Sequence, residues 1–275
     1  RLEHTLYIDI NEGFSETRQL IDKVRGSGKF DFIQRLLNLI GPYEHRLGAD
    51  QAYAYTFFSG RQEKDIGETT IAEKIFSDLL EKNKRKPSRR RGILNMLGAI
   101  KVKQGAWKVA LELQNKCRKM VEKTDYSSIA NVENQIGYIY RNLEDFGKEN
   151  LKQAKMHYGL ALNAARKIEA GSPEYSQEKN QDLIASILNN IGYVWGLSQN
   201  YRLAYQYCND AIKIWSRENQ NTKIALGEAA IGILERDQGN YDRSIRLLNS
   251  ALSRDNLQPE VLCRTYFHLG WTQWF

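Results

Sequence analysis

Leu188–Trp215 reads LNNIGYVWGLSQNYRLAYQYCNDAIKIW, two helical stretches separated by the polar run Ser198-Gln199-Asn200. Its pattern returns along the chain. An apolar-Gly pair closes Asn95-Met-Leu-Gly98, Asn134-Gln-Ile-Gly137, Asn189-Asn-Ile-Gly192, Ala229-Ala-Ile-Gly232 and Phe267-His-Leu-Gly270. Nine residues after the first four glycines stands an aromatic: Trp107, Phe146, Tyr201 and Tyr241. Small side chains follow at Ala110, Ala154, Ala204 and Ser244, and again at Cys117, Ala161, Ala211 and Ala251. Self-similarity at such a spacing is the mark of stacked repeats.

The pattern describes an antiparallel helix pair. Glycine on the first helix and alanine on the second let the two backbones approach, and the aromatic wedges into the turn between them. One such hairpin cannot cover its own apolar face, so neighbours must stack. The glycines are 39, 55, 40 and 38 residues apart. The long interval reflects an insertion after Phe146 and a long connection containing Gly171-Ser172-Pro173.

On these residues the chain resembles the tetratricopeptide repeats. Gly192, Tyr201, Ala204, Cys208 and Ala211 fall where the family pattern places its glycine, aromatic and small residues. The spacing near 40 residues is similar to the longer-helix variant of kinesin light chains and of the sensor regions of STAND-type signalling ATPases. The resemblance covers Gly92 to the C-terminus. A weaker copy precedes it, with Gly60, Gly67, Ala72 and Phe76 in phase. It implies an all-α, right-handed solenoid of stacked antiparallel helix pairs. It also implies a role in binding a protein or peptide, as the interaction or ligand-sensing region of a larger signalling protein such as a regulatory ATPase. Three segments are expected: 1–43 as an N-terminal helical segment or degenerate repeat, 44–91 as a degenerate repeat ending in a basic loop, and 92–275 as the array with an incomplete last repeat. Within the first, Phe14–Val24 and Phe30–Ile40 read as short helices divided by Arg25-Gly-Ser-Gly28 and ended by Gly41-Pro42.

Composition agrees with a folded helical chain. It holds 275 residues, 41% hydrophobic and 27% charged, with only 4 prolines, which excludes disordered and collagen-like classes. Cys117, Cys208 and Cys263 are odd in number and far apart, so a disulfide scaffold is not expected and a reducing, cytoplasmic compartment fits. The chain opens at Arg1 and stops at Phe275 inside a helical pattern, so a piece of a longer protein is expected. Leu183–Tyr201 carries no charge, but its serines and adjacent asparagines argue for a buried helix over a membrane span.

The net charge is +7, with 40 basic and 33 acidic residues. Lys82, Lys84, Arg85, Lys86, Arg89, Arg90 and Arg91 account for seven of the basic residues within ten positions, leaving 33 against 33 elsewhere. Pro87 and Ser88 predict a connection between helices there. Such a run is either a solvated loop or a contact for phosphates or an acidic partner, which keeps nucleic-acid binding open as the alternative function.

No catalytic constellation emerges. Gly26-Ser-Gly-Lys29 lacks the earlier glycine of a phosphate loop, since Lys23 stands there, and Phe30 follows where Ser or Thr is needed. His4, His45, His157 and His268 show no metal-ligand spacing, and His157 reads as an exposed or partly packed imidazole. Glu144-Asp145 and the acids of 178–182 read as helix-end charges. Neither enzyme activity, a metal nor a cofactor is expected. The tryptophans and tyrosines sit mostly at repeat positions and read as core rather than base-stacking surface.

One constellation remains. In three successive repeats the residue three before the glycine is asparagine: Asn95, Asn134 and Asn189. In a superhelix these point into the concave groove, joined by Tyr138, Tyr193 and Trp271 one position after the glycine and by Lys103, Arg141, Asn142 and Arg236 a turn later. An asparagine amide donates and accepts at once, which suits the main chain of an extended peptide. The same amides equally serve as struts between repeats.

Overall fold

Close packing of small residues decides where the chain folds back on itself. The computed structural model describes residues 1–24, 29–143, 147–168, 177–255 and 257–274, and over these it is helical with no strand. Two compact units follow one another, Arg1–Met120 and Val121–Phe275. The divisions read from the sequence at 43/44 and 91/92 fall inside a 3-10 turn and an α-helix respectively.

The first unit comprises α1 (Leu2–Ile8), α2 (Ile10–Val24), α3 (Phe30–Ile40), a 3-10 turn (Gly41–Arg46), α4 (Ala49–Ile66), α5 (Thr69–Lys82), α6 (Pro87–Lys103) and α7 (Trp107–Arg118). The weaker repeat copy is a hairpin of α4 and α5. A Cβ at Gly60 would lie 2.9 Å from Ile75 Cγ2, and Ala72 and Phe76 are wholly buried beneath it. Phe76, Leu79, Ile93, Leu97 and Ile100 form one core joining α5 to α6. Each such buried aliphatic or aromatic side chain contributes roughly 1.5–3 kcal/mol.

The basic run departs from expectation. Lys82 ends α5, and Pro87 is the first residue of α6, so Arg89, Arg90 and Arg91 lie on a helix and only 83–86 connects. Proline is tolerated at the first helical position because its missing N–H has no intrahelical acceptor there. Arg89 is held, its guanidinium pairing with Asp50 and lying 4.2 Å from the centre of the Tyr53 ring. Lys84 pairs with Glu81. Lys82, Lys84, Arg85, Lys86 and Arg90 remain exposed.

The second unit comprises α8 (Tyr126–Asn142), α9 (Lys148–Ala165), α10 (Gln177–Leu197), α11 (Tyr201–Arg217), α12 (Asn221–Asp237), α13 (Tyr241–Leu252) and α14 (Pro259–Trp274). Consecutive helices pair as α8/α9, α10/α11 and α12/α13, and the first helices α8, α10, α12 and α14 lie side by side. Ala154, Ala161, Ala204, Ala211, Ser244 and Ala251 are all fully buried. A Cβ at Gly192 would lie 2.5 Å from Cys208 Sγ and 3.0 Å from the Ala204 carbonyl oxygen. At Gly137 it would meet the Tyr158 ring at 2.8 Å, and at Gly232 Leu248 Cγ at 3.0 Å. Gly270 differs, with nothing within 4 Å of a Cβ placed there.

Turns between paired helices share a device. Two residues before the second helix the backbone is left-handed, at Gly105 (φ 72°) and Gly239 (φ 82°), and at Gln199 (φ 60°) without a glycine. The aromatic follows: Trp107, Tyr201 and Tyr241 each open their helix, although Tyr241 stays exposed rather than wedged. Phe146, Glu144-Asp145, Arg25–Gly28 and Gly171-Ser172-Pro173 lie outside the described residues.

Candidate functional site

The first helices of the second unit carry a continuous row of polar and aromatic side chains. On α8, Asn134, Tyr138 and Arg141 recur at helical spacing, so they share one face. α10 supplies Asn189, Asn190 and Tyr193. Asn190 Nδ2 donates to Asn134 Oδ1 at 3.1 Å, while Asn190 Oδ1 accepts from Arg141 Nη1 at 3.2 Å. Arg141 is 6% exposed, its guanidinium between the rings of Tyr138 (4.5 Å) and Tyr193 (4.6 Å). Cation–π contact of this kind compensates part of the lost hydration of a buried guanidinium.

The row continues. Arg264 of α14 lies 5.5 Å from the Tyr193 ring of α10, although α12 stands between these helices in the stack. The arginine side chain therefore passes over α12. At the positions where α8 and α10 carry Asn and Tyr, α12 carries Ala229 and Ile233, both buried, which form a low floor. Arg236 of α12 lies 4.4 Å from the Trp271 ring, pairs with Asp237, and donates from Nη1 to His268 Nδ1 at 3.2 Å. Burial, then Arg264 and then Arg236, push the His268 imidazole down to about 4. An unprotonated Nδ1 facing an arginine donor is what that environment requires.

The structure thus brings Asn134, Tyr138, Arg141 and Tyr193 together, and links Arg236 with Trp271. The three repeat asparagines, equivalent in sequence, have three different surroundings. Asn95 Oδ1 accepts from Gln114 Nε2 at 3.1 Å, inside its own hairpin. Asn134 accepts from Asn190. Asn189 Oδ1 is enclosed with no hydrogen-bond partner among the described residues. Asn95 and the exposed Lys103 belong to the first unit. Asn142 is not an open amide either: its Nδ2 donates to the Tyr138 carbonyl at 2.7 Å and closes the end of α8.

Asn190, Arg264 and His268 join the site without having been singled out, because their roles arise from neighbouring helices. His157 corrects a reading. It is 5% exposed, stacks on Tyr140 at 5.3 Å, and its Nδ1 lies 2.6 Å from Oε2 of the buried Glu133. The pair joins α9 to α8. Among the described residues no group of three or more His, Cys, Asp or Glu side chains is placed to hold a metal ion. Among them, too, no helix is long and apolar enough to cross a membrane.

The sequence matches no protein-family model and no curated protein. Solved structures share the fold. NprR, a quorum sensor from B. thuringiensis solved in complex with its cognate peptide NprX, superposes with a TM-score of 0.68. The match covers 95% of this chain and 70% of that one at 14% identity. Apo RapI matches with a TM-score of 0.62, covering 94% of this chain and 70% of its own at 14% identity. The TPR-like repeats of a putative kinesin light chain from Podosopora anserina match at 0.52, covering 74% and 94% at 10% identity. At such identities the likeness concerns architecture: the chain has an all-α, tetratricopeptide-like helical-repeat fold, as its glycine and alanine spacing implies.

Proposed function

We propose that the first-helix face of the second unit binds a protein or extended peptide, and that the chain acts as a binding scaffold rather than an enzyme. The observation that carries this reading is a row of polar and aromatic side chains across the first helices: contacts link Asn134, Asn190, Arg141, Tyr193 and Arg264, further contacts link His268, Arg236 and Trp271, and Arg264 acts electrostatically on His268. Beside that row, next to Asn190, the Asn189 side-chain oxygen has no donor among the described residues, and a peptide main chain supplies N–H groups at regular intervals. Support also comes from the likeness to NprR, whose structure holds a peptide. A wider role as the sensing region of a larger signalling protein, such as a STAND-type regulatory ATPase, belongs to the same proposal and rests on resemblance. A cytoplasmic setting is supported by three unpaired cysteines.

The competing reading is nucleic-acid binding through Lys82–Arg91. It is weakened by the engagement of Arg89 with Asp50 and Tyr53 and of Lys84 with Glu81.

The test begins with peptides selected on the whole chain from a random twelve-residue display library, followed by calorimetric titration. Asn189→Ala removes one neutral hydrogen bond, about 0.5–1.5 kcal/mol, so affinity should fall roughly two- to tenfold with an unchanged melting temperature. Replacing Lys84, Arg85, Lys86 and Arg90 with Gln should leave peptide affinity intact. Unchanged affinity together with a lowered melting temperature in Asn189→Ala would make that residue a strut and overturn the groove. Duplex DNA binding that loses affinity and salt dependence together in the Gln variant would favour the competing reading.

A further inference from the structure

The repeat glycine of α14 departs from the rule that the others obey. At Gly98, Gly137, Gly192 and Gly232 a Cβ would lie 2.5, 2.8, 2.5 and 3.0 Å from a side chain of the following helix, whereas at Gly270 it would meet nothing within 4 Å. α14 packs on α12 and α13, and its Val261, Thr265, Leu269 and Thr272 are buried. On the opposite side, at helical spacing, stand Cys263, Tyr266, Phe267, Gly270 and Trp274, all exposed and none charged. Tyr266, Phe267 and Trp274 are 59%, 63% and 82% exposed. At about 150–250 Å² for a whole aromatic side chain, the three present about 300–500 Å² of ring surface. Apolar patches of that size mark interaction sites.

We propose that a second copy of the chain covers this face, α14 crossing its own image antiparallel about a two-fold axis. The peptide-binding reading is independent of it, because Arg264, His268 and Trp271 lie on another side of α14. A two-fold interface demands a surface complementary to itself, and α14 supplies one. Cys263 and Gly270 stand seven residues apart, the spacing of the small pairs Ala204/Ala211 and Ser244/Ala251 on second helices. With the axis between Tyr266 and Phe267, Gly270 of each copy faces Cys263 of the other. The chain already makes this contact once: Cys208 Sγ is the nearest atom to a Cβ at Gly192, at 2.5 Å, in the hairpin of α10 and α11. A helix of another protein needs only one small residue opposite Gly270, whereas the Cys263–Gly270 pair gives the reciprocal contact that a second copy requires. The same axis sets Tyr266 against Phe267 and Trp274 against Pro259, with the helix dipoles antiparallel. Two copies bring together about 600–1,000 Å² of ring surface. That is less than a standard stable interface, so the dimer is reversible, with dissociation on the order of micromolar. Cys263 stays open in the dilute monomer.

Sedimentation velocity on the whole chain, from about 1 to about 200 µM, should show a monomer–dimer equilibrium. Gly270→Gln should weaken the dimer by at least about tenfold, since the new side chain overfills the crossing. Its urea stability in dilute solution should hold or rise, because a side chain there meets nothing within the monomer and glycine is the poorer helix former. Gly270→Cys sets a second thiol opposite Cys263 of the other copy, and mild oxidation with oxidised glutathione should link two chains. Within one chain those positions lie two helical turns apart, about 10.5 Å, beyond the reach of a disulfide. Wild type should not link, because the same offset separates the two Cys263 thiols across the axis. Adding Cys263→Ser to Gly270→Cys should abolish the link, as Cys117 and Cys208 are buried. A chain that stays monomeric at the highest concentration overturns the proposal and leaves the face to a helix of another protein or of a longer chain. A dimer indifferent to Gly270→Gln, or a link that persists without Cys263, overturns it as well.

Discussion

Gly192 and Gly159 both lie inside helices of the second unit, and replacing each with alanine should move stability in opposite directions. Glycine in a helix interior costs about 1 kcal/mol relative to alanine. A Cβ at Gly159 meets nothing within 4 Å, so Gly159→Ala should realise that gain in full, about 1 kcal/mol. At Gly192 the same Cβ would lie 2.5 Å from Cys208 Sγ, 3.0 Å from the Ala204 carbonyl oxygen and 3.2 Å from the Cys208 nitrogen. Ordinary carbon contacts sit near 3.5–4.0 Å, and two of these three neighbours are backbone atoms that cannot swing aside. The helices α10 and α11 must separate, which places the cost near the top of the 1–3 kcal/mol overpacking range. Subtracting the propensity gain leaves a net loss of about 2 kcal/mol. Urea denaturation followed by circular dichroism at 222 nm should therefore separate the two variants by about 3 kcal/mol. Cys208→Ala in the Gly192→Ala background removes the nearest atom but leaves the Ala204 oxygen, so it should restore part of the loss, a coupling visible in a double-mutant cycle. If Gly192→Ala stabilises the chain as Gly159→Ala does, the first and second helices do not cross closely at this glycine, and the packing argument for the whole repeat is wrong.

Native thiol titration should find Cys263 alone reactive at neutral pH, since burial pushes the Cys117 thiol up to about 11 and that of Cys208 up to about 12; three fast thiols without denaturant would refute the burial of the repeat positions. His268, with an ordinary value of 6.5, falls to about 4 in the folded chain. As pH drops below 6.5 the unfolded chain binds a proton that the folded one refuses, so stability declines from there towards pH 4. His268→Gln should flatten that part of the urea-midpoint profile between pH 7 and 5, and parallel profiles would show that the imidazole is neither buried nor set among arginines as described.

The hairpins were legible because a close helix crossing makes a steric demand at single positions, and Gly192, Ala204 and Ala211 answer it whatever surrounds them. The start of α6 was not, because proline's exclusion from helix interiors does not extend to the first turn, where Pro87 stands. The site was legible in part. Asn134, Tyr138 and Arg141 share a face by helical spacing alone, but two further partners of Arg141, Asn190 and Tyr193, come from α10, and nothing local to α8 announces them. Asn190 adjoins an asparagine already singled out, yet its bridging role needs the register between two helices. His157 and Glu133 lie 24 residues apart, and only the α8/α9 pairing turns an unremarkable histidine into a buried partner.

The reach of Arg264 past α12 to Tyr193 bears on how such a chain can evolve. Arrays of this kind gain and lose hairpins by duplication and deletion, since each unit touches only its neighbours. A ring contact between α14 and α10 holds only with a single hairpin between them. Inserting another pair after α11 would leave every crossing glycine seated, yet it would carry Arg264 a full repeat away and cut the row of polar side chains in two. The scaffold is free to change its length, whereas the proposed binding face is tied to one count.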